Sequence, residues 1–360
     1  MKMSWSNRIC LQRNLIFCLL FLFWWVTSGL AVKAVDGSKD VFDLSQQLGR
    51  GVNVLGYDPI WESFDKARFK KKYFEVIRTG GFDTLRVNLF PFSHMGAGPE
   101  YQLSDSWWGT MDWVVANALA VHLNVIVDFH EFEATGKDAE GNKNRFLAFW
   151  QQVAPHFQHA PPGVVFEILN EPNGKMTPEI WNQYLAEALA IIRQSNPTRM
   201  VIIGPAFWNS IDHLDELKLP DKDRHIIVTV HYYKPMDFTH QGAPWVMPQY
   251  KVGLVWKGTA EERDIIKSDF QKVQDWAKLH DRPILLGEFG AYEDGDMASR
   301  ARYTAYVART AEQFGWSWAY WQFDKDFIVY DIPKNQWVEP IYHALIPSPR
   351  VAASKTNNEQ

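Results

Sequence analysis

The sequence contains very little cysteine: only Cys10 and Cys18 among 360 residues, both close to the N-terminus. A mature chain without this segment can form no disulfide bond, so its stability must come from its core. Basic residues are also fewer than acidic ones. After residue 34 the chain has 33 Lys and Arg side chains and 42 Asp and Glu side chains, which gives a net charge of −9. This acidic excess argues against a nucleic-acid-binding face and against binding to an anionic membrane surface.

The N-terminal segment, residues 1–34, has the pattern of a signal peptide. Three basic side chains precede the apolar stretch 15–32, and small residues around Ala34 offer a cleavage site. The apolar stretch is nearly long enough to span a membrane, so an uncleaved anchor is the alternative. We predict cleavage after Ala34, a secreted or periplasmic protein, and no stable membrane association once the segment is removed.

After the signal peptide, short apolar runs alternate with longer amphipathic stretches. Most of the runs are continuously apolar, which is typical of parallel strands buried on both faces. Helical patterns lie between them, such as the one that begins with Thr177 as N-cap and Pro178 in the first turn. The predicted strands are residues 51–56, 83–90, 124–130, 164–170, 200–208, 225–233, 283–290 and 317–324.

Eight strands, each followed by a helix or a long loop, predict an α/β protein with a single (β/α)8 TIM barrel over residues 35–346. A doubly wound open sheet is the alternative, but the sequence lacks a G-x-G-x-x-G turn after the first strand. Internal repeats and low-complexity linkers are absent as well. Residues 347–360 are predicted to form a polar C-terminal tail, and we expect a monomer.

Polar and ionisable residues accumulate where the predicted strands end. In a TIM barrel the C-terminal strand ends form the active-site face, so side chains from distant parts of the chain meet there. Each one alone has a structural alternative, such as a buried ion pair, but together they predict an active site. The residues are Arg86, His130, Asn170, Glu171, His231, Tyr233, Glu288 and Trp321.

Two glutamates stand out within this set. Glu171 precedes Pro172, which cannot continue a strand ladder and favours extended backbone at its predecessor, so we expect the carboxyl group to be held at the strand tip. Glu288 follows another apolar run, on the seventh strand. Glycosidic cleavage requires two carboxyl groups of different pKa, about 5–5.5 Å apart in enzymes that retain the anomeric configuration. We predict that the carboxyl groups of Glu171 and Glu288 lie about 5–5.5 Å apart and that hydrolysis retains the anomeric configuration.

Four motifs in barrel order carry a family resemblance: LNEP after strand four, HYY at strand six, GEFG at strand seven and AYW at strand eight. They resemble glycoside hydrolase family 5, a barrel family of retaining β-glycanases, and the resemblance covers about residues 40–345. It implies that Glu171 is the general acid and then the general base. It also implies that Glu288 is the nucleophile that forms a covalent glycosyl-enzyme.

The resemblance assigns the remaining strand-end residues to supporting roles. Asn170 would bind the sugar 2-hydroxyl, while Arg86 and Tyr233 would keep Glu288 ionised and aligned. The two histidines, His130 and His231, would line the subsite at the cleaved bond. Trp321 would be its sugar platform, presented by a cis peptide bond to residue 322.

The sequence is rich in aromatic residues, with 15% Phe, Trp and Tyr and 17 tryptophans. The flat C–H faces of β-linked sugars pack well on indole rings, so some of these tryptophans are predicted to line a substrate groove. The candidates are Trp61, Trp208, Trp245 and Trp256, of which we expect two or three to act as platforms. Packing in the core is the alternative for each.

These observations predict a secreted retaining endo-β-1,4-glucanase that acts on a β-linked polysaccharide and needs no cofactor and no metal. A β-mannanase, or an enzyme that uses both polysaccharides, is the alternative within the same chemistry. A non-catalytic polysaccharide-binding barrel is the alternative outside it. His130 with Glu131 and Glu133 offers a different interpretation as a metal site, but a strand end is poorly suited to converging ligands at this spacing.

Overall fold

A computed structural model describes residues 41–347 of the chain. The predicted signal peptide and residues 348–360 of the predicted tail lie outside this range. Eight parallel strands pair in chain order, and pairing of the first with the eighth closes the barrel. The predicted (β/α)8 barrel is therefore confirmed. No helix within residues 41–347 combines the length and the apolar character that crossing a membrane requires.

All eight barrel strands are shorter than the predicted runs, and seven of them lie within these runs, whereas the first strand begins one residue earlier than predicted, at Arg50. Two further short strands form a small antiparallel ribbon after the barrel. The strands are β1 (Arg50–Val54), β2 (Thr84–Leu89), β3 (Asn124–Phe129), β4 (Val164–Glu167), β5 (Val201–Ile203), β6 (Ile226–Tyr232), β7 (Ile284–Phe289), β8 (Ser317–Tyr320), β9 (Tyr330–Asp331) and β10 (Gln336–Trp337).

Long helices pack around the barrel, and shorter ones lie in the loops between them. Three 3₁₀ turns, Pro59–Trp61, Pro91–His94 and Ile211–Glu216, complete the description. The helices are α1 (Val41–Gln47), α2 (Lys72–Thr79), α3 (Asp105–Ala120), α4 (Phe132–Lys137), α5 (Ala139–His156), α6 (Pro178–Ser195), α7 (Ala206–Asn209), α8 (Met236–Thr239), α9 (Ala260–His280), α10 (Met297–Gln313) and α11 (Glu339–Leu345).

Local sequence explains where three of the long helices begin. Ser104, Thr177 and Thr259 each accept a hydrogen bond from a backbone N–H of the first turn, at the start of α3, α6 and α9 respectively. The predicted N-cap at Thr177, with Pro178 after it, is thus confirmed. Glu262 completes a capping box at the start of α9.

The core consists of two layers that follow the alternation of the strands. On β3, Val125 and Val127 belong to the large cluster between barrel and helices, whereas Ile126 belongs to a smaller cluster that also contains Val165 and Ile227. Further along β3, on the same side as Ile126, comes Asp128, which is completely buried. The barrel interior is therefore apolar near its N-terminal end and polar toward its C-terminal end, where the candidate site lies.

Candidate active site

Arg86, on β2, lies at the centre of the site and is completely buried. Its Nε and Nη2 donate to the two carboxylate oxygens of Glu167 at 2.7 and 2.8 Å. Nη1 donates to Asn53 Oδ1 and to Glu288 Oε1, both at 2.8 Å, and Nη2 also donates to Asn170 Oδ1 at 2.7 Å. All five guanidinium N–H groups thus have an acceptor, which fixes the position of the charge.

A second carboxylate, Asp128 on β3, joins this network. Its Oδ2 lies 3.2 Å from Nη2 of Arg86 and 2.5 Å from Nδ1 of His130, and it accepts a hydrogen bond from Asn88. Burial raises the pKa of Asp128, but Arg86 and His130 outweigh it and hold the pKa below its usual value. His130 is therefore oriented by an ionised group, and its ring lies parallel to that of Trp321, with centroids 5.5 Å apart.

A β-bulge places Glu288 opposite His231. Val230 pairs with Leu286, but the next residue, His231, pairs with Glu288, so Gly287 is an extra residue on β7. Without the bulge, regular pairing would set His231 opposite Gly287, and Glu288 would pair one residue further along. The bulge therefore brings an imidazole and a carboxyl group together at the mouth of the barrel.

Two donors hold the carboxyl group of Glu288. Arg86 donates to Oε1 at 2.8 Å, and the hydroxyl of Tyr233 donates to Oε2 at 2.9 Å. Burial raises the pKa of Glu288, while Arg86, His130 and the Tyr233 hydroxyl act in the opposite direction and limit the rise. Of the two site glutamates, Glu288 has the environment that favours the ionised form.

Glu171 has the opposite environment. Its Oε1 lies 2.7 Å from Nδ1 of His231, and within residues 41–347 no Lys or Arg side chain forms an ion pair with it. Burial, and then repulsion from Glu288, hold the pKa of Glu171 well above its usual value. One carboxylate oxygen of Glu171 and one of Glu288 lie within 4.8 Å of each other. The pair therefore combines close approach with different proton affinities.

The backbone at Glu171 differs from the prediction. Instead of extended backbone, Glu171 has a φ of 44°, in the left-handed region. The amide of Asn173 donates to the carbonyl oxygen of Glu171 at 2.8 Å, and such local side-chain contacts stabilise an irregular turn. The expectation of extended φ at this residue was wrong, because contacts of the following turn outweigh the local preference set by Pro172.

Three side chains of the site could reach a metal ion. One donor atom each from Glu171, His231 and Glu288 lies within 4.8 Å of the others. These atoms already have protein partners, however, because Nδ1 of His231 contacts Glu171, and Glu288 accepts from Arg86 and Tyr233. An ion would have to displace these contacts, so the donor set fits proton transfer better than metal binding.

The alternative metal site at His130 is not formed in the part of the chain that the structure describes. Nδ1 of His130 contacts Asp128, and Oε1 of Glu131 accepts a hydrogen bond from the backbone N–H of Phe92 at 2.6 Å. The neighbouring acidic residues therefore do not converge with His130 on a common point.

The barrel, with a pair of carboxyl groups at its C-terminal end, can be compared with known proteins. A family model described as Cellulase (glycosyl hydrolase family 5) matches residues 46–326. The chain belongs to glycosyl hydrolase family 5. The predicted family resemblance is thus confirmed.

Relatives within family 5 include endoglucanases. Endoglucanase H of Acetivibrio thermocellus is 29% identical over 318 residues, which are 85% of this chain but only 33% of the relative. The chain thus spans about a third of that protein. Among solved structures, Thermotoga maritima Cel5A with cellobiose is 38% identical and has a TM-score of 0.81, covering 85% of this chain and 100% of that one. The same enzyme with mannotriose is 37% identical, again with a TM-score of 0.81 and the same coverage.

The structure brings the eight predicted strand-end residues of this family 5 chain into one site. Hydrogen bonds of 2.7–2.9 Å link Arg86, Asn170, Glu288 and Tyr233. Of the remaining four residues, Glu171 contacts His231 at 2.7 Å, and the ring of His130 stacks on that of Trp321. The peptide bond between residues 321 and 322 is cis, as predicted.

The four candidate sugar platforms divide into two groups. Trp208 and Trp245 are each 51% exposed, and both lie next to the site. The backbone N–H of Trp208 donates to the carbonyl of Pro172, and Trp245 packs edge-on against His240, whose ring contacts Tyr233. These two indoles therefore remain candidates.

Trp61 and Trp256 belong to the core instead, so these two platform predictions were wrong. The indole of Trp61 stacks on Trp107, and its N–H donates to the carbonyl of Leu55 at 2.8 Å. Trp256 is 3% exposed and packs edge-on against Tyr303 of α10. Both indoles thus pack among core aromatic rings away from the paired glutamates, and loop position in the sequence could not reveal this packing.

Several site residues are absent from the sequence prediction. Asn53, Asp128 and Glu167 sit inside the apolar runs of β1, β3 and β4, and this position within an otherwise apolar strand was a usable signal. Tyr57, in the loop after β1, lies edge-on to Trp321 with ring centroids 6.4 Å apart. Asn209 contacts His231, and only the tertiary structure reveals it.

Proposed function

We propose that this family 5 chain is a retaining endo-β-1,4-glucanase. The observation that carries the proposal is the approach of Glu171 and Glu288 oxygens to within 4.8 Å, in environments that favour protonation of Glu171 over Glu288. Retaining glycosidases have carboxyl groups about 5–5.5 Å apart, whereas inverting ones need about 6.5–9.5 Å to admit a water molecule. The close approach of the two carboxyl groups favours retention.

The reaction has two steps. In the first, protonated Glu171 gives its proton to the glycosidic oxygen while a carboxylate oxygen of Glu288 attacks the anomeric carbon, so the C–O bond to the leaving sugar breaks and a glycosyl-enzyme forms. In the second, Glu171 as carboxylate takes a proton from water, whose oxygen displaces Glu288 from the anomeric carbon. Two inversions at one carbon retain its configuration.

Two further features support binding of a sugar at this point. Oδ1 of Asn170 accepts from Arg86, while its buried Nδ2 has no hydrogen-bond partner within the described residues. A buried donor without a partner is costly, and a sugar 2-hydroxyl would satisfy it. Trp321 would carry the ring of the same sugar, with Trp208 and Trp245 as platforms for neighbouring units.

Mannan is the second candidate substrate, alone or alongside glucan. The observation that favours it is the likeness to Thermotoga maritima Cel5A, which has been solved with cellobiose and with mannotriose. The glucose units of cellobiose and the mannose units of mannotriose differ in the orientation of the C2 hydroxyl. This is the hydroxyl group that we propose binds Asn170. A non-catalytic polysaccharide-binding barrel is disfavoured, because both glutamates and their hydrogen-bond partners are present.

Export of the enzyme is part of the proposal and rests on the sequence of residues 1–34. Cellulose-type polysaccharides are too large to enter a cell, so an enzyme that cleaves them must act outside it or in the periplasm. We also propose that the folded enzyme acts as a monomer without a cofactor. Addition of a chelator should then leave its activity unchanged.

The test compares the release of reducing ends from carboxymethyl cellulose and from mannan by the full chain. Glu171→Gln and Glu288→Gln should each lower turnover by about a thousandfold or more, because each removes one of the two reacting groups. Glu179→Gln, an exposed glutamate on α6, is the matched control and should leave turnover unchanged. Near-normal activity of either site variant would refute the assignment.

The stereochemical outcome is tested separately by proton NMR of a short cello-oligosaccharide during hydrolysis. Retention predicts that the β-anomer of the new reducing end appears first and mutarotates later. Initial formation of the α-anomer would mean inversion and would exclude Glu288 as a nucleophile.

A further inference from the structure

The segment after β5 has an unusual backbone. Phe207, Trp208 and Asn209, the last three residues of α7, have φ angles of 56°, 59° and 53°, so three consecutive residues other than glycine adopt the left-handed conformation. This conformation is unfavourable for residues with a Cβ atom and least so for asparagine. Such a turn persists only where the surrounding structure enforces it, and these places are often functional.

The turn sends neighbouring side chains in opposite directions. Phe207 and Trp208 are 41% and 51% exposed, whereas Asn209 is completely buried. Nδ2 of Asn209 lies 3.2 Å from Nε2 of His231. The same imidazole places its other nitrogen, Nδ1, 2.7 Å from Oε1 of Glu171. An unbroken chain of contacts thus connects the strained turn to the proposed general acid.

This contact determines where the imidazole carries its proton. An amide NH₂ group only donates, so Nε2 of His231 must accept, and the proton of the neutral ring is then on Nδ1. Nδ1 therefore donates to Oε1 of Glu171. With Oε1 occupied by this donor, the carboxyl proton of Glu171 resides on Oε2, the oxygen left free for the leaving group.

We propose that Asn209 is a positioning residue that selects the tautomer of His231 and thereby keeps the acidic proton of Glu171 on the oxygen facing the substrate. The inference rests on the proposed glycosidase function and extends it beyond the residues that touch the sugar. The close fit around the pair supports it. A Cβ atom on Gly204 would lie 2.0 Å from Oδ1 of Asn209, and one on Gly287 would lie 2.9 Å from Nε2 of His231.

Oε2 of Glu288 lies 3.6 Å from Nδ1 of His231 and favours a proton there as well, while Asn209 is the hydrogen-bond partner on the Nε2 side of the ring. Burial, and then the positive charge of Arg86, hold the pKa of His231 well below its usual value, so the ring is neutral and its single proton can be on either nitrogen. The titratable and charged groups around it and Glu171 are Arg86 on β2, Asp128 on β3, His130 after β3, Glu167 on β4, Tyr233 after β6 and Glu288 on β7.

The first test measures the tautomer directly and does not depend on activity. The full chain is labelled with ¹⁵N-histidine, and the ring nitrogens of His231 are assigned by comparison with a His231→Gln sample. In the wild type, Nδ1 should carry the proton and Nε2 should be bare. In Asn209→Asp the new carboxylate can only accept, so Nε2 should become protonated. A protonated Nε2 in the wild type, or an unchanged pattern in the variant, would overturn the proposal.

The choice of variants protects the fold. Asp and Gly tolerate positive φ, so Asn209→Asp and Asn209→Gly should keep the turn, which thermal melting will verify. The matched control is Asn335→Asp, because Asn335 also has a left-handed φ, 52°, but contacts Lys72 near the ribbon of β9 and β10, away from the site. The control should change neither the His231 nitrogens nor activity.

The second test separates a loss of acid catalysis from a general loss of function. Departure of dinitrophenolate from an aryl β-cellobioside needs no proton, whereas departure of phenolate does. Asn209→Asp should lower kcat/KM for phenyl β-cellobioside by about 30-fold and for the dinitrophenyl substrate by less than about threefold. It should also move the alkaline limb of the pH profile for the phenyl substrate. Equal losses on the two substrates would contradict a role in positioning the proton.

Failure of the inference and failure of the proposed function are distinguishable. If the wild type releases reducing ends from neither carboxymethyl cellulose nor mannan and hydrolyses no aryl β-glycoside, the proposed function fails, and the NMR experiment still decides whether Asn209 selects the tautomer. If the wild type is active but the imidazole tautomer does not respond to Asn209→Asp, the function stands and the inference falls.

Discussion

At the scale of single residues, position relative to the barrel decides what a side chain can do. Tyr232 and Tyr233 are adjacent in sequence, but the hydroxyl of Tyr232 donates to Asp269 on α9, at 3.1 Å, whereas that of Tyr233 donates to Glu288 at 2.9 Å. One hydroxyl supports the packing of a helix, and the other stabilises the ionised form of a proposed nucleophile. The pair therefore offers matched variants for separating stability from chemistry.

Tyr233→Phe should move the acidic limb of the kcat/KM profile to higher pH. The lost hydroxyl lowers the pKa of Glu288, so its removal raises that pKa and more alkaline solution is needed to ionise the carboxyl group. A loss of about 10- to 100-fold in kcat/KM at neutral pH should accompany the shift. Tyr232→Phe is the control and should leave the profile in place. An unmoved acidic limb in Tyr233→Phe would exclude this role.

Glu167→Gln should destabilise the fold by about 3 kcal/mol, because it breaks a buried ion pair with Arg86 whose members have no access to water. The comparison is Glu187→Gln, which breaks a partly exposed ion pair of the same length, 2.7 Å, between Glu187 and Lys143. Exposed pairs contribute less than about 1 kcal/mol. The free energies of unfolding come from urea titrations. Equal losses in the two variants would show that Glu167 does not act as the buried partner of Arg86.

At the scale of secondary-structure elements, the β-bulge between β6 and β7 is the feature that assembles the site. It depends on Gly287, where a Cβ atom would lie 2.5 Å from Oγ1 of Thr229. The carbonyl oxygen of Gly287 accepts a hydrogen bond from Nδ2 of Asn53 at 3.1 Å, so β1 also holds the bulge in place. Bulges beside active sites commonly re-aim a side chain, here that of Glu288.

Gly287→Ala should therefore cost about 2 kcal/mol of stability and lower kcat/KM by about tenfold or more, since the added methyl group overpacks the bulge and displaces His231. Gly109→Ala is the matched control, because Gly109 lies on the exposed face of α3 with no atom within 4 Å of an added Cβ. That change should stabilise the helix by about 0.5–1 kcal/mol and leave kcat/KM unchanged. Thermal unfolding and steady-state kinetics check both. Wild-type kinetics in Gly287→Ala would show that the bulge does not control the site.

At the scale of the whole molecule, burial of histidine makes stability depend on pH. Burial lowers the pKa of His240 to about 4, whereas an unfolded histidine has a pKa of about 6.5. The folded state thus binds fewer protons than the unfolded chain between these values. The contribution of His240 is fully present above pH 6.5 and is lost as the pH falls toward 4, by about 3 kcal/mol in total.

His240→Asn should remove this part of the pH dependence. At pH 8 the variant and the wild type are compared without protonation of the histidine, and any difference there reports packing alone. Between pH 6.5 and 4.5 the unfolding free energy of the wild type should fall more steeply than that of the variant. Urea titrations at four or five pH values measure the two slopes. Parallel slopes would show that His240 is protonated equally in the folded and unfolded states.

The sequence by itself determined the barrel and the eight strand-end residues that meet at the site. Both follow from a local pattern: eight apolar runs predict the strands, and polar residues such as Glu171 and Glu288 at the ends of these runs predict the site. Only the tertiary structure decided the bulge at Gly287, the left-handed φ of Glu171 and the contact of Asn209 with His231. It also decided that Trp256 is enclosed while Trp245 is half exposed. Register, burial and side-chain contact depend on residues far apart in the chain, and no local pattern encodes them.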